Sequence, residues 1–251
     1  MDFINYNKIT FVPDFDTKDL EPRKLYHLTE PKIHEIDGYS LPTLDFSQSN
    51  IFMKRLYSMH EVHIYRKIND MGISPRMIDY GELHGTGTGI LVLEKMEPLR
   101  NVINKLTNNE MDDIINSLIN KVGEIHRLGI IHRDLRMDNL LHKNGEVFLC
   151  DFEDKGYSDE WAAPEVLEET KFSFESDIYS MGCTIYEIIT GERPWNNVDN
   201  FEEYVMSHDF HMLLTKIENK GYSKLISDCL LTRCVSERNA NSHADVHTQI
   251  Q

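Results

Sequence analysis

Residues 130–141 read IIHRDLRMDNLL. Apolar pairs at both ends, Ile130-Ile131 and Leu140-Leu141, bracket a centre in which His132, Arg133, Asp134, Arg136, Asp138 and Asn139 crowd together. That mixture follows neither a helical nor a strand period, so the centre reads as an irregular loop held at both ends by buried side chains. It places a carboxylate at Asp134 and a carboxamide at Asn139, five positions apart. The next stretch, EVFLCDF at 146–152, is a short strand that delivers a second acid, Asp151.

Phosphoryl transfer asks little of a protein: an acid to orient the attacking hydroxyl, oxygen ligands for magnesium, and a cation on the nucleotide phosphates. The loop and the strand after it supply the first two. Around them the helical pattern dominates. NEMDDIINSLINKVGEIHRLG, residues 109–129, predicts a long amphipathic helix stopped at Gly129, and SDIYSMGCTIYEIITG, residues 176–191, predicts another, capped by Ser176 or Asp177 and stopped at Gly191.

From about residue 30 to 95 the pattern is mostly strand-like. NIFMKRL at 50–56 reads as a strand, SMHEVHIYRKIND at 58–70 as a helix, and GILVLEKM at 89–96 as a strand entered through the glycine-rich turn HGTGTG. The opening 25 or so residues, broken by Pro13 and Pro22, read as an irregular extension. A small strand-rich lobe of about residues 26–95 and a larger helical lobe of about 96–251 follow.

HRDLRMDN resembles the catalytic loop of the eukaryotic-type protein kinases, H-R-D-L-x-x-x-N, and DFE at 151–153 stands where that family has D-F-G. Ala163-Pro164-Glu165, then SDIYSMG with Asp177 and Gly182, then Arg238 in CLLTRCVSERNA, match the family's further landmarks in order and spacing, over about residues 48–240. The resemblance implies an α+β, bilobal protein-kinase-like fold, a Ser/Thr kinase-like activity, and ATP and Mg2+ as cofactors. It makes Asp134 the catalytic base, Arg136 its companion, Asn139 and Asp151 the metal ligands, and His132 a core support. It also implies that Glu165 pairs with Arg238 and that Asp177 steadies the loop backbone.

On the 58–70 helix, Glu61, Ile64, Tyr65 and Ile68 share one face, so an acid lies within an apolar stripe and needs a partner. The strand with Lys54 resembles the family's V-A-I-K, which implies that Lys54 holds the nucleotide phosphates and pairs with Glu61. The implied nucleotide-binding set is then Lys54, Gly38, Glu94, Met96, Asn139 and Asp151.

The chain departs from the family pattern in four places. HEIDGYSLPTLDF has one glycine, Gly38, where the phosphate loop has three, and GTGTG at 85–89 comes after Lys54, as a hairpin turn would. Phe52 replaces the small Ala of V-A-I-K, the residue that in the family lies against the adenine. Glu153 replaces a glycine that is not a metal ligand. The stretch from Asp151 to Glu165 is short, with hydroxyls only at Tyr157 and Ser158, which argues against control by loop phosphorylation. Arg133 is expected to meet a fixed acid instead, Glu153, Asp154 or Asp159. Ser158 favours transfer to Ser/Thr; Trp161 and Arg136 resemble tyrosine-kinase choices. Two other readings stay open: a pseudokinase that binds or inhibits another protein, and a small-molecule phosphotransferase of the aminoglycoside or choline kinase type.

The formal net charge is −16, from 42 acidic and 26 basic residues, which disfavours nucleic-acid and anionic-membrane partners. Cys150, Cys183, Cys229 and Cys234 have no CxxC spacing, which fits a reducing compartment. There is neither a signal-like start nor an apolar run of about 18 residues. The expectation is a cytoplasmic protein, in a host cytoplasm if the source is viral or an intracellular pathogen, acting on a protein substrate. Oligomeric state is left open.

Overall fold

The computed structural model describes residues 8–10, 32–36, 39–45, 50–56, 59–83, 88–152 and 156–232. Gly38, Glu153, Asp154 and Arg238 lie outside them. The chain divides into two compact units, residues 1–96 and 97–251.

The first unit holds two antiparallel sheets. One orders its strands β1-β3-β2, from β1 (Lys8–Thr10), β2 (Lys32–Ile36) and β3 (Tyr39–Asp45). The short strand β1 corrects the expectation of a wholly irregular opening. Three residues carry no legible strand pattern of their own, and they are extended because β3 supplies their hydrogen-bond partners.

The other sheet orders its strands β4-β6-β5, from β4 (Ile51–Leu56), β5 (Met77–Leu83) and β6 (Thr88–Glu94). Leu83 pairs with Thr88, so β5 and β6 are hairpin neighbours; residues 84–87 of the glycine-rich stretch lie outside the described residues. In the central strand β6, Ile90 to Leu93 are all buried, and their side chains pack on both faces. Helix α1 (Met59–Ile68) lies against β5 and buries Glu61, Val62, Ile64, Tyr65 and Ile68.

The second unit is mainly helical. It opens with β7 (Glu97–Pro98) and the short helix α2 (Leu99–Val102), followed by α3 (Asn108–Arg127). Thr107 starts α3 with a capping box to Glu110, and Gly129 just beyond its end takes φ 74°. The hairpin of β8 (Leu140–Lys143) and β9 (Glu146–Leu149) joins β7 in a three-stranded sheet. Then come α4 (Pro164–Glu169), α5 (Phe174–Thr190), α6 (Phe201–Ser207), α7 (His211–Leu214) and α8 (Lys220–Leu230).

Helix α5 begins earlier than its sequence suggests. Its N-cap is Ser173, and Ser176 is the reciprocal partner: Ser176 N–H donates to Ser173 Oγ at 3.1 Å and Ser173 N–H to Ser176 Oγ at 2.9 Å. Both serines suit a cap, and the apolar Phe174 between them hides the helix start. From Ser176 to Ile188 every residue of α5 is buried, which makes it the central helix of its unit. Among the described residues no helix is long and apolar enough to cross a membrane.

Gly182 lets α5 and α8 touch. A Cβ built on it would lie 2.6 Å from Cys229 Cβ, an atom fixed to a helix backbone and unable to swing away. Gly182→Ala is therefore expected to destabilise the protein by about 1–3 kcal/mol through overpacking, read as a fall in midpoint in urea unfolding.

Candidate active site

In the first unit, β4 and α1 bring two charges together. Lys54 is paired with Leu91 across β4 and β6, and its Nζ donates to Glu61 Oε1 at 2.6 Å. The Glu61 side chain is 2% exposed and that of Lys54 16%, so the pair is largely withdrawn from water and each charge depends on the other. Phe52 lies two residues earlier on β4, opposite Leu93. Glu94 ends β6, where its N–H donates to Arg76 O at 2.9 Å, and Met96 is half-buried just beyond.

In the second unit the loop between α3 and β8 carries the acids. Apart from a single 3-10 turn at Met137–Asn139 it is irregular, and α5 supplies the anchors. Asp177 is fully buried; its Oδ2 accepts the His132 N–H at 2.7 Å, its Oδ1 the Arg133 N–H at 2.8 Å, and His126 Nε2 lies 2.9 Å from Oδ2. Two turns on, Thr184 Oγ1 lies 3.1 Å from the Leu135 carbonyl. Between them, Ser180 Oγ donates to the carbonyl of Trp161, in the segment that follows Asp151, at 2.8 Å.

With the backbone fixed, the side chains take defined places. Asn139 Nδ2 donates to Asp134 O and to Asp134 Oδ2, both at 2.8 Å. Arg136 Nε lies 3.4 Å from the same Oδ2. The other carboxylate oxygen, Asp134 Oδ1, has no hydrogen-bond partner among the described residues, and neither does Asn139 Oδ1. One oxygen of Asp134 is thus pinned while the other, itself buried, has no partner.

The β8–β9 hairpin sets Asp151 beside this pair. Leu140 faces Leu149 in the ladder, and Cys150 N–H donates to Asn139 O at 3.0 Å, so Asn139 and Asp151 flank one end of the hairpin. Cys150 Sγ lies 3.2 Å from the same carbonyl. Arg133 and Asp151 both hold positive φ, 76° and 72°, a conformation that costs non-glycine residues energy and that the surrounding contacts enforce.

A magnesium ion suits this donor set. It takes oxygen ligands, one or two of them carboxylates, and keeps waters or phosphates at its other positions. The Asp151 carboxylate and the buried, otherwise unbonded Asn139 Oδ1 would hold it.

Sequence reading passed over Arg100 and Glu187. Glu187 is fully buried on α5 and Arg100 reaches it from α2 at 2.7 Å, across 87 residues that no local pattern connects. The partner of Glu165 implied by resemblance, Arg238, lies outside the described residues, and so do the acids Glu153 and Asp154 expected beside Arg133. Burial raises the Glu165 carboxyl above its usual range. The Arg133 guanidinium stands 5.3 Å from the Phe172 ring centre. Burial pushes the Cys229 thiol up to about 12 and that of Cys183 higher still, so neither is a nucleophile near neutrality.

The protein kinase domain family matches residues 47–244. The chain belongs to that family. It is 31% identical over 153 residues to a probable serine/threonine-protein kinase of Encephalitozoon cuniculi, covering 54% of this chain and 29% of that one. It is 24% identical over 232 residues to the serine/threonine-protein kinase ppk11 of Schizosaccharomyces pombe, covering 86% and 70%, and 33% identical over 111 residues to the serine/threonine-protein kinase PKH3 of Eremothecium gossypii, covering 35% and 15%. The chain thus spans under a third of two of these kinases and more than two thirds of the other.

The kinase loop also contains a pH-sensitive support. His132 is buried with its ring 4.8 Å from that of Phe152, and burial holds its pKa below the usual histidine value despite the acids around it. The unfolded chain takes up a proton on this ring below about pH 6.5 that the folded chain resists, so the stability associated with the neutral ring is present above that pH and lost below it. Wild type is expected to lose stability relative to His132→Phe by up to about 1.4 kcal/mol per pH unit as pH falls below about 6.5, measured by urea unfolding across pH.

Proposed function

We propose that this chain is an ATP- and magnesium-dependent protein kinase that phosphorylates Ser/Thr hydroxyls. The observation that carries the reading is the asymmetry of Asp134: Oδ2 held by Asn139 and Arg136, Oδ1 without a partner. A carboxylate fixed on one oxygen and unbonded on the other suits a group that must orient a hydroxyl and take its proton.

In this reading the substrate hydroxyl donates to Asp134 Oδ1, and the carboxylate receives the proton as the hydroxyl oxygen bonds to the γ-phosphorus, the bond from that phosphorus to the bridging oxygen breaks, and ADP leaves. Asn139 fixes the carboxylate through Nδ2, and its Oδ1 together with the Asp151 carboxylate would hold the metal. Bound magnesium supplies charge neutralisation on the phosphate oxygens. Lys54, held by Glu61 at 2.6 Å, would be the cation on the phosphates.

Glu153 in place of the family glycine leaves Asp151 as the metal acid. The short segment up to Glu165 fits an assembly that does not wait for a phosphate. The names of the similar kinases favour Ser/Thr over Tyr. Localisation in a cytoplasm and a protein as substrate belong to the same proposal.

Two variants separate binding from chemistry. MgATP at about a hundred times its dissociation constant should stabilise the wild type by about 2.7 kcal/mol, a rise of several degrees in Tm, and Asp151→Asn should abolish the magnesium-dependent part. Asp134→Asn should keep that rise while transfer of phosphate to a Ser/Thr peptide library falls by about 10²–10⁴-fold. A wild type with no nucleotide-dependent rise would overturn the kinase reading in favour of a pseudokinase. Transfer to small alcohols but not to peptides would favour the phosphotransferase alternative.

A further inference from the structure

Five charged side chains form an alternating ladder through the second unit. Arg136 Nε stands 3.4 Å from Asp134 Oδ2, and Arg136 Nη1 stands 3.3 Å from Asp138 Oδ2. Asp138 Oδ1 in turn accepts from Arg100 Nε, whose guanidinium extends through Nη2 to Glu187 Oε1 at 2.7 Å. The ladder starts at the proposed base and ends at a carboxylate with no exposure, on the helix that also anchors the loop.

Burial raises the Glu187 carboxyl above its usual range, and the guanidinium of Arg100 opposes that shift. Arg100 is the cation that hydrogen-bonds Glu187 among the described residues. It spans two acids with two in-plane N–H groups, Nε and Nη2, of one planar fork, a task for which a lysine ammonium has the wrong geometry.

We infer that Arg100 is a positioning residue for the base, acting through Asp138 and Arg136. Both Arg136 contacts are long, at 3.3 and 3.4 Å, so the guanidinium is balanced between Asp134 and Asp138. Arg100 satisfies much of the charge of Asp138 and so limits its pull on Arg136. Without Arg100, Asp138 draws Arg136 to itself, and Asp134 Oδ2 keeps Asn139 alone. The unbonded oxygen then turns away from the position at which it meets the hydroxyl.

The role assigned to Arg100 rests on the kinase reading of the loop. Removing Arg100 also leaves Glu187 buried without its cation, so loss of activity in a single variant would not separate positioning from folding. Arg100→Met together with Glu187→Gln removes the stranded charge. The expected result is that Arg100→Met lowers both Tm and kcat, with kcat down about tenfold and KM for ATP within about twofold of wild type. Arg100→Met/Glu187→Gln should regain Tm and not kcat, and millimolar guanidinium should raise kcat in Arg100→Met and not in wild type.

Recovery of kcat along with Tm in the double variant would overturn the positioning role, as would an Arg100→Met kcat equal to wild type. A wild type without any phosphate transfer would overturn the kinase reading instead. The side-chain resonance of Arg136 Nε–H then decides the ladder by itself. A shift of that resonance in the double variant would uphold the coupling from Arg100 to Arg136, and an unchanged resonance would overturn it.

Discussion

The carboxylate of Asp177 is the constraint on which the second unit depends. Its two oxygens accept successive backbone N–H groups, from His132 and Arg133, in the interior. A buried carboxylate without partners would be intolerable there, and two neighbouring amides of an irregular loop would be left equally bare without it. Each solves the other's problem, and the solution holds Arg133 at positive φ just before Asp134. The backbone leading into Asp134 is therefore fixed by an acid on a distant helix.

Asp177 is one member of a polar stripe on α5. Ser180, Thr184 and Glu187 follow it at helical spacing, all buried, and each reaches another segment: the Trp161 carbonyl, the Leu135 carbonyl and Arg100. The opposite side of the helix packs tightly enough at Gly182 to touch α8. One face of α5 thus serves as core while the other holds the loop at Leu135, the segment at Trp161 and the short helix α2 in register. Such an arrangement explains why the helix is buried from Ser176 to Ile188: its hydrogen-bonding residues point at backbone and at the Arg100 guanidinium rather than at water.

The first unit carries a simpler version of the same idea. Glu61 lies within an apolar helical face that a folding chain would not choose for an acid, and Lys54 on β4 accounts for it. The pair keeps the lysine ammonium in place against the pull of solvent, which is worth more to a site than to stability.

The local pattern carried much of this in plain view. The helical repeats of α1, α3 and α5, the hairpin around the glycine-rich turn, and the loop from His132 to Asn139 with Asp151 after it are legible because period, turn chemistry and motif spacing are short-range properties. The acid in an apolar stripe announced that Glu61 needs a partner. What the sequence could not carry is what depends on distance along the chain: the pairing of β1 with β3, the choice of Ser173 over Ser176 as the cap of α5, and the reach of Arg100 to Glu187 across 87 residues. Nor does composition say which oxygen of Asp134 is pinned and which is unbonded. The sequence by itself nominated the side chains proposed to carry chemistry, since residue type and spacing suffice to name candidates. Only the tertiary structure decided how they are held, because hydrogen bonds between remote segments exist only once the helix that supplies them is buried.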